Sequence, residues 1–103
     1  MARITFNDGR WIELRPMWVD DELAVEELGT AGSELEGTGD DPDAATAAYQ
    51  RYTALLRQVR ALLDAATTAT SWGGGAGQMT RDDMLGLIGQ WRRASQDDAV
   101  PPA

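Results

Sequence analysis

The sequence predicts an α+β fold, an N-terminal two-stranded β-hairpin packed on a small, mainly helical bundle with one long central helix. Three observations lead there. Residues 2–15 alternate apolar and polar side chains around Asn7-Asp8-Gly9, the period-two pattern of a hairpin. Residues 43–68 place apolar side chains at helical spacing along most of their length. Residues 81–94 repeat that spacing after a Gly-rich break. With 103 residues, the chain is the size of one small domain. Its predicted organisation is a single domain over 1–94 and a polar, Pro-ending disordered tail over 95–103.

In the hairpin, Gly9 supplies the left-handed residue of a three-residue loop, so Phe6 pairs with Arg10 and Ile4 with Ile12. Ile4, Phe6, Ile12 and Leu14 then share one face, and Thr5, Trp11 and Glu13 the other. A two-residue Asp8-Gly9 loop would shift the pairing by one and set Ile4 against Glu13, which the clean apolar face disfavours. Pro16 ends the second strand.

A short helix follows over 20–28, with Asp20 as N-cap, Gly29 as C-cap and Val19, Leu23 and Leu28 as a narrow apolar stripe. Residues 29–42, rich in Gly and acids, predict a mobile loop. The helix over 43–68 is capped by Asp43. Its apolar stripe is Tyr52, Leu56, Val59 and Leu63, widened by Tyr49, Leu55, Leu62 and Ala66. Thr67-Thr68-Ala69-Thr70 weakens its end. A flexible loop over 71–78 carries Trp72, and the last helix, 81–94, opens on a Thr80/Asp83 approximation to a capping box. Met84, Leu87, Ile88 and Trp91 form its apolar stripe.

Composition excludes several chemistries. With no Cys and no His, disulfides, thiolate or imidazole metal sites and Cys- or His-based catalysis are ruled out. The 17 acids against nine Arg, net charge −8, argue against a phosphate-backbone binder. That charge is uneven: residues 1–48 carry three Arg against twelve acids, and residues 49–103 six Arg against five. The N-terminus lacks the apolar run of a signal peptide and no window approaches a membrane span, so a cytoplasm is the expected compartment.

The motifs that invite a site reading have plainer ones. Gly73-Gly74-Gly75-Ala76-Gly77 lacks the preceding strand and following Lys-Ser/Thr of a phosphate-binding loop and reads as a linker. Asp40-Asp41-Pro42-Asp43 lacks the alternating ligands, central Gly and distal Glu of a calcium loop. Glu26-Glu27 and Asp82-Asp83 are helix neighbours that diverge, with no nucleophile, base or orienter in view. No catalytic, cofactor or metal site is expected. Trp11 and Trp72 suit either a partner contact or bulk in a thin core. The acidic half suits either a solubilising field or mimicry of nucleic-acid charge. A loop placement of the acids favours the former.

One combination of motifs resembles a known family. Ile4-Thr5-Phe6-Asn7-Asp8-Gly9-Arg10-Trp11-Ile12-Glu13-Leu14-Arg15-Pro16, followed by an acidic helix, is joined later by Leu85-Gly86-Leu87-Ile88-Gly89-Gln90-Trp91. Together these resemble tail assembly chaperones of long-tailed, siphovirus-type bacteriophages that infect actinobacteria. The resemblance covers the N-terminal third and the last helix. It implies a non-enzymatic protein of the host cytoplasm that binds the tape measure protein, a long, largely helical, aggregation-prone chain. The partner would stay soluble until tail-tube subunits polymerise around it.

An apolar surface for such a partner would come from Trp11, Met17, Trp18, Trp72, Met79, Met84 and Trp91, since aromatic and Met side chains adapt to varied helices. Nucleic acid and membrane are not expected partners, and self-association is left open. Two other readings stand beside this one. The first is a structural virion component, such as a head–tail connector or capsid accessory protein. The second is an acidic inhibitor of a nucleic-acid-binding host protein.

Overall fold

The computed structural model describes residues 2–75 and 78–99. It is an α+β structure in the order β1 (Ala2–Thr5), β2 (Trp11–Leu14), α1 (Val19–Glu36), α2 (Pro42–Ala66), β3 (Thr67–Thr70) and α3 (Arg81–Ala99). The hairpin has the predicted register, with Ile4 opposite Ile12 and Thr5 opposite Trp11. Phe6 N–H donates to the Arg10 carbonyl (2.7 Å) and Gly9 N–H to the Phe6 carbonyl (3.0 Å). Gly9 has φ +92°, the left-handed backbone that the loop requires.

The sheet is larger than the predicted hairpin. β3 joins it antiparallel on the free side of β2, giving the order β1-β2-β3. The helix predicted to 68 ends at Ala66, and Thr67-Thr68-Ala69-Thr70 is a strand rather than a frayed helix end. Thr is β-branched and fits a pleated surface better than a helix. Thr67 Oγ1 donates back to the Leu63 carbonyl (2.7 Å), closing the helix where the strand begins. Backbone bonds beyond the strand ends extend the ladder: Arg15 N–H to the Ala66 carbonyl and Ser71 N–H to the Trp11 carbonyl, both 3.0 Å.

The described chain divides into two compact units. The first holds the residues up to Trp18 and those from Arg60 onward; the second is Val19–Val59. In the first, α3 packs against β1, and the core is Ile4, Ile12, Leu14, Leu63, Ala66, Met84, Leu87, Ile88 and Trp91. Trp91 is fully buried and its indole Nε1 donates to the Arg15 carbonyl (2.7 Å). Met17 N–H donates to Ser95 Oγ (2.8 Å), and Ser95 is itself buried. α3 runs through residues 95–99, which were expected in the disordered tail; 100–103 lie outside the described residues.

In the second unit, α1 does not stop at Gly29. It runs to Glu36, so most of the predicted mobile loop over 29–42 is helix. Packing overrides the weak local propensity here. Ala31 is buried, and a Cβ on Gly32 would lie 3.5 Å from the Tyr52 ring, which puts α1 and α2 at contact distance. Glu34, two residues beyond Gly32, pairs with Arg51 beside Tyr52 at 3.0 Å. The helix ends instead through Gly37, whose N–H reaches the Ser33 carbonyl (3.0 Å), and Gly39 takes the left-handed conformation at φ +57°.

The helix starts also differ from prediction at two of three places. α1 begins at Val19, so Asp20 lies inside its first turn rather than capping it. Asp41, not Asp43, caps α2: its Oδ1 accepts from Asp43 N–H (3.1 Å) and Ala44 N–H (3.2 Å), with Pro42 as the first helical residue. Thr80 caps α3 as predicted, its Oγ1 accepting from Asp83 N–H (3.1 Å). Replacing Trp91 by Ala should lower the unfolding free energy by about 3–5 kcal/mol, the range for a buried aromatic. Replacing Asp41 by Ala should lower it by about 1 kcal/mol, the usual loss of an N-cap. Urea unfolding followed by circular dichroism reads both; equal losses would contradict this ordering.

Candidate functional site

The residues expected to offer a partner surface separate into buried, half-buried and exposed. Met84 and Trp91 are buried in the first unit's core and cannot supply that surface; their stripe on α3 is spent on the sheet. This corrects the expectation for both. Their period was read correctly, but helical periodicity alone does not say whether an apolar stripe meets the protein's own sheet or a partner.

Trp11, Met17, Trp72 and Met79 are half-buried. Trp11 stands on the outer face of the sheet under the Arg3 guanidinium, 4.1 Å from the ring centroid, and Arg3 is in turn paired with Glu13 (2.5 Å). Trp72 packs against Phe6 at 6.2 Å between ring centroids, beneath Arg10 at 5.5 Å. Its Nε1 is buried without a hydrogen-bond partner among the described residues. Trp72 thus closes the turn end of the hairpin. Ala76 and Gly77 of the expected loop over 71–78 lie outside the described residues.

Trp18 is different. It is 63% exposed, although the chain just before it is held by the Trp91–Arg15 and Met17–Ser95 hydrogen bonds. The Arg15 guanidinium lies over one face of its ring at 3.7 Å from the centroid. At an exposed site such a contact contributes about 0.5–1 kcal/mol. It orders the indole while leaving most of it in water.

The second unit has exposed apolar side chains that prediction placed on the apolar stripes of its helices. Val19 is 69% and Leu23 53% exposed, whereas the predicted stripe had both facing inward with Leu28. The buried stripe of α1 is instead Asp21, Ala24, Leu28 and Ala31. At helical spacing Val19 and Leu23 fall on the opposite face. Tyr49, expected to widen the stripe of α2, is also exposed. The signal that could have found this was the small-residue row Ala24, Ala31 and Gly32, which allows a closer helix approach than a Val/Leu row.

A cleft of about 290 Å³ in the first unit is lined by Thr5, Asp8, Arg10, Asp82, Asp83 and Gln90, among others. Three of its charges, Arg10, Asp8 and Asp83, are committed to one another. Arg10 Nε donates to Asp8 Oδ2 (2.7 Å), and Arg10 Nη2 lies 3.4 Å from Asp83 Oδ2. The Arg10 backbone N–H, donating to Asp8 Oδ1, and then its guanidinium hold the Asp8 carboxyl below the ordinary aspartate value. The same side-chain bond raises the Arg10 guanidinium.

Comparison with known protein families, with curated proteins and with solved structures finds no match to this chain. Among the described residues no helix is long and apolar enough to cross a membrane.

Asp8 provides a pH test of the turn. A carboxyl held below its ordinary value contributes stability that is present above that value and lost as pH falls through the lowered one. The stability difference between wild type and Asp8→Asn should therefore shrink as pH is taken from neutral to below the ordinary aspartate range. Urea titrations at stepped pH read it, and a difference independent of pH would contradict the assignment.

Proposed function

We propose that this chain is a non-enzymatic assembly chaperone of the phage-tail kind, which binds the tape measure protein reversibly and keeps it soluble in the host cytoplasm. The observation that carries the reading is Trp18, an exposed indole on a chain segment held by two hydrogen bonds to α3. Tryptophan is enriched among residues that dominate protein–protein binding energy. Val19 and Leu23, which follow it in the sequence, are exposed as well. The family resemblance of the hairpin and of the Leu85–Trp91 motif supports the same role. So does the net charge of −8, which opposes aggregation of a complex. A small exposed apolar area suits a chaperone that must leave the finished tail.

One observation favours a second reading. The acids of residues 20–36 lie along helix α1 rather than in a loop. Carboxylates at fixed positions on a helix suit mimicry of a nucleic-acid backbone better than a mobile loop does, and with it the acidic inhibitor. Salt-sensitive competition with DNA for a basic host protein would support that reading over the first.

Co-expression with the tape measure protein of the same genome tests the leading proposal. The expected result is a gain in that protein's solubility and its co-purification with the chain. Trp18→Ser should weaken binding by about tenfold or more, as loss of a central anchor does, without a change in fold. No gain in solubility and no co-purification would remove the proposal. Recovery of the chain from purified virions would favour the structural component instead.

A further inference from the structure

The formal net charge of the whole chain resides in its second unit. Residues 19–59 hold ten of the 17 acids and two of the nine Arg, net −8, and the rest of the chain is neutral. Seven of those ten acids are on α1: Asp20, Asp21, Glu22, Glu26, Glu27, Glu34 and Glu36. The face of α1 opposite its buried stripe presents Val19 and Leu23 one turn apart, with Glu22 a turn from Val19 and Glu26 and Glu27 a turn from Leu23. An aliphatic pair in water is therefore bordered by carboxylates on a rigid element.

Each occupant of this face can be weighed by its charge. A second copy of the chain would set one negative unit against another. An uncharged apolar helix would cover Val19 and Leu23 but desolvate the bordering carboxylates without offering a counter-charge. A helix whose apolar stripe is flanked by Arg or Lys covers the aliphatic pair and meets the carboxylates at its rim. Two side chains four residues apart make the kind of ridge that fits between those of a facing helix.

We infer that the first turns of α1 are a docking face for a basic amphipathic helix, with Val19 and Leu23 as the apolar contact and Glu22, Glu26 and Glu27 as the charged rim. The inference deepens the protein-binding reading and rests on it. It names the chemistry of the partner segment. The rim steers the approach and selects the partner; the aliphatic pair holds it.

The test uses the full chain and three labelled synthetic helices of about 18 residues, a length that holds helical structure in water. The first has a Leu stripe flanked by Arg, the second the same stripe flanked by Gln, and the third the composition of the first with the stripe scrambled. Fluorescence anisotropy at low salt should give binding of the first about tenfold or more tighter than either control. The double variant Val19→Ser/Leu23→Ser keeps the net charge and should lose that binding about tenfold. The triple variant Glu22→Gln/Glu26→Gln/Glu27→Gln should bind the Arg- and Gln-flanked helices alike. Equal binding of the scrambled helix, or no effect of Val19→Ser/Leu23→Ser, would show diffuse charge attraction and overturn the inference. Equal binding of the Arg- and Gln-flanked helices by the wild type would overturn it too. If the wild type still solubilises the tape measure protein in those cases, the chaperone reading stands and only this docking face falls. If the helix preferences hold and solubilisation fails, the chaperone reading falls alone.

Discussion

The indole N–H of Trp91 donates to the carbonyl of Arg15, and much of the first unit follows from that bond. An acceptor offsets the cost of burying an indole N–H, and the one that Trp91 finds lies where the chain leaves β2. The bond ties the middle of α3 to the exit of the sheet. It also lets α3 cover the sheet's single apolar face, Ile4, Ile12 and Leu14, which a hairpin alone would leave in water. Met17 N–H on Ser95 Oγ, one turn further along α3, holds the same stretch a second time. Trp18 is therefore exposed on a fixed stretch of chain. An indole presented in this way loses little conformational entropy when a partner covers it.

The two units divide the physical labour. The first is electrically neutral, with the guanidiniums of Arg3, Arg10 and Arg15 stacked on Trp11, Trp72 and Trp18, and Arg3 and Arg10 also paired with carboxylates. The second carries the net charge, and in its helix pair Gly32 of α1 meets the Tyr52 ring of α2, with Ala24 and Ala31 of α1 and Leu55 and Val59 of α2 buried. The buried stripe of α1, with Leu28 as its one large apolar side chain, needs little apolar area from the helix, and Val19 and Leu23 stand on its outer face. The acids that follow from this arrangement stand on a helix, at fixed spacing, and can discriminate between partners in a way that a mobile acidic loop cannot.

Much of the first unit was legible in the sequence. The hairpin register followed from requiring Ile4 and Ile12 to share a face, and α3 from its Thr80 cap and the Met84–Trp91 period. β3 was not legible because four residues of Thr and Ala carry no alternation; the strand exists because β2 offers it an unpaired edge. The second unit was read least well. Gly29 and Gly32 are stop signals locally, yet Gly32 faces the Tyr52 ring inside a packed helix pair. That error moved both the end of α1 and the identity of its buried face. It therefore hid Val19 and Leu23 as surface residues. Of the aromatic and Met candidates, Trp18 is the one that the fold leaves largely in water; Trp91 and Met84 were taken by the core.

The central claim is that the ordered, exposed indole of Trp18 meets another polypeptide while Trp91 stays inside. Fluorine NMR of the chain labelled with 5-fluorotryptophan, with resonances assigned by single Trp→Phe variants, reads all four indoles at once. On forming a complex with the tape measure protein, the Trp18 resonance should shift and lose its sensitivity to solvent deuteration, while that of Trp91 stays unchanged. A complex that forms with the Trp18 resonance still solvent-exposed would contradict the account.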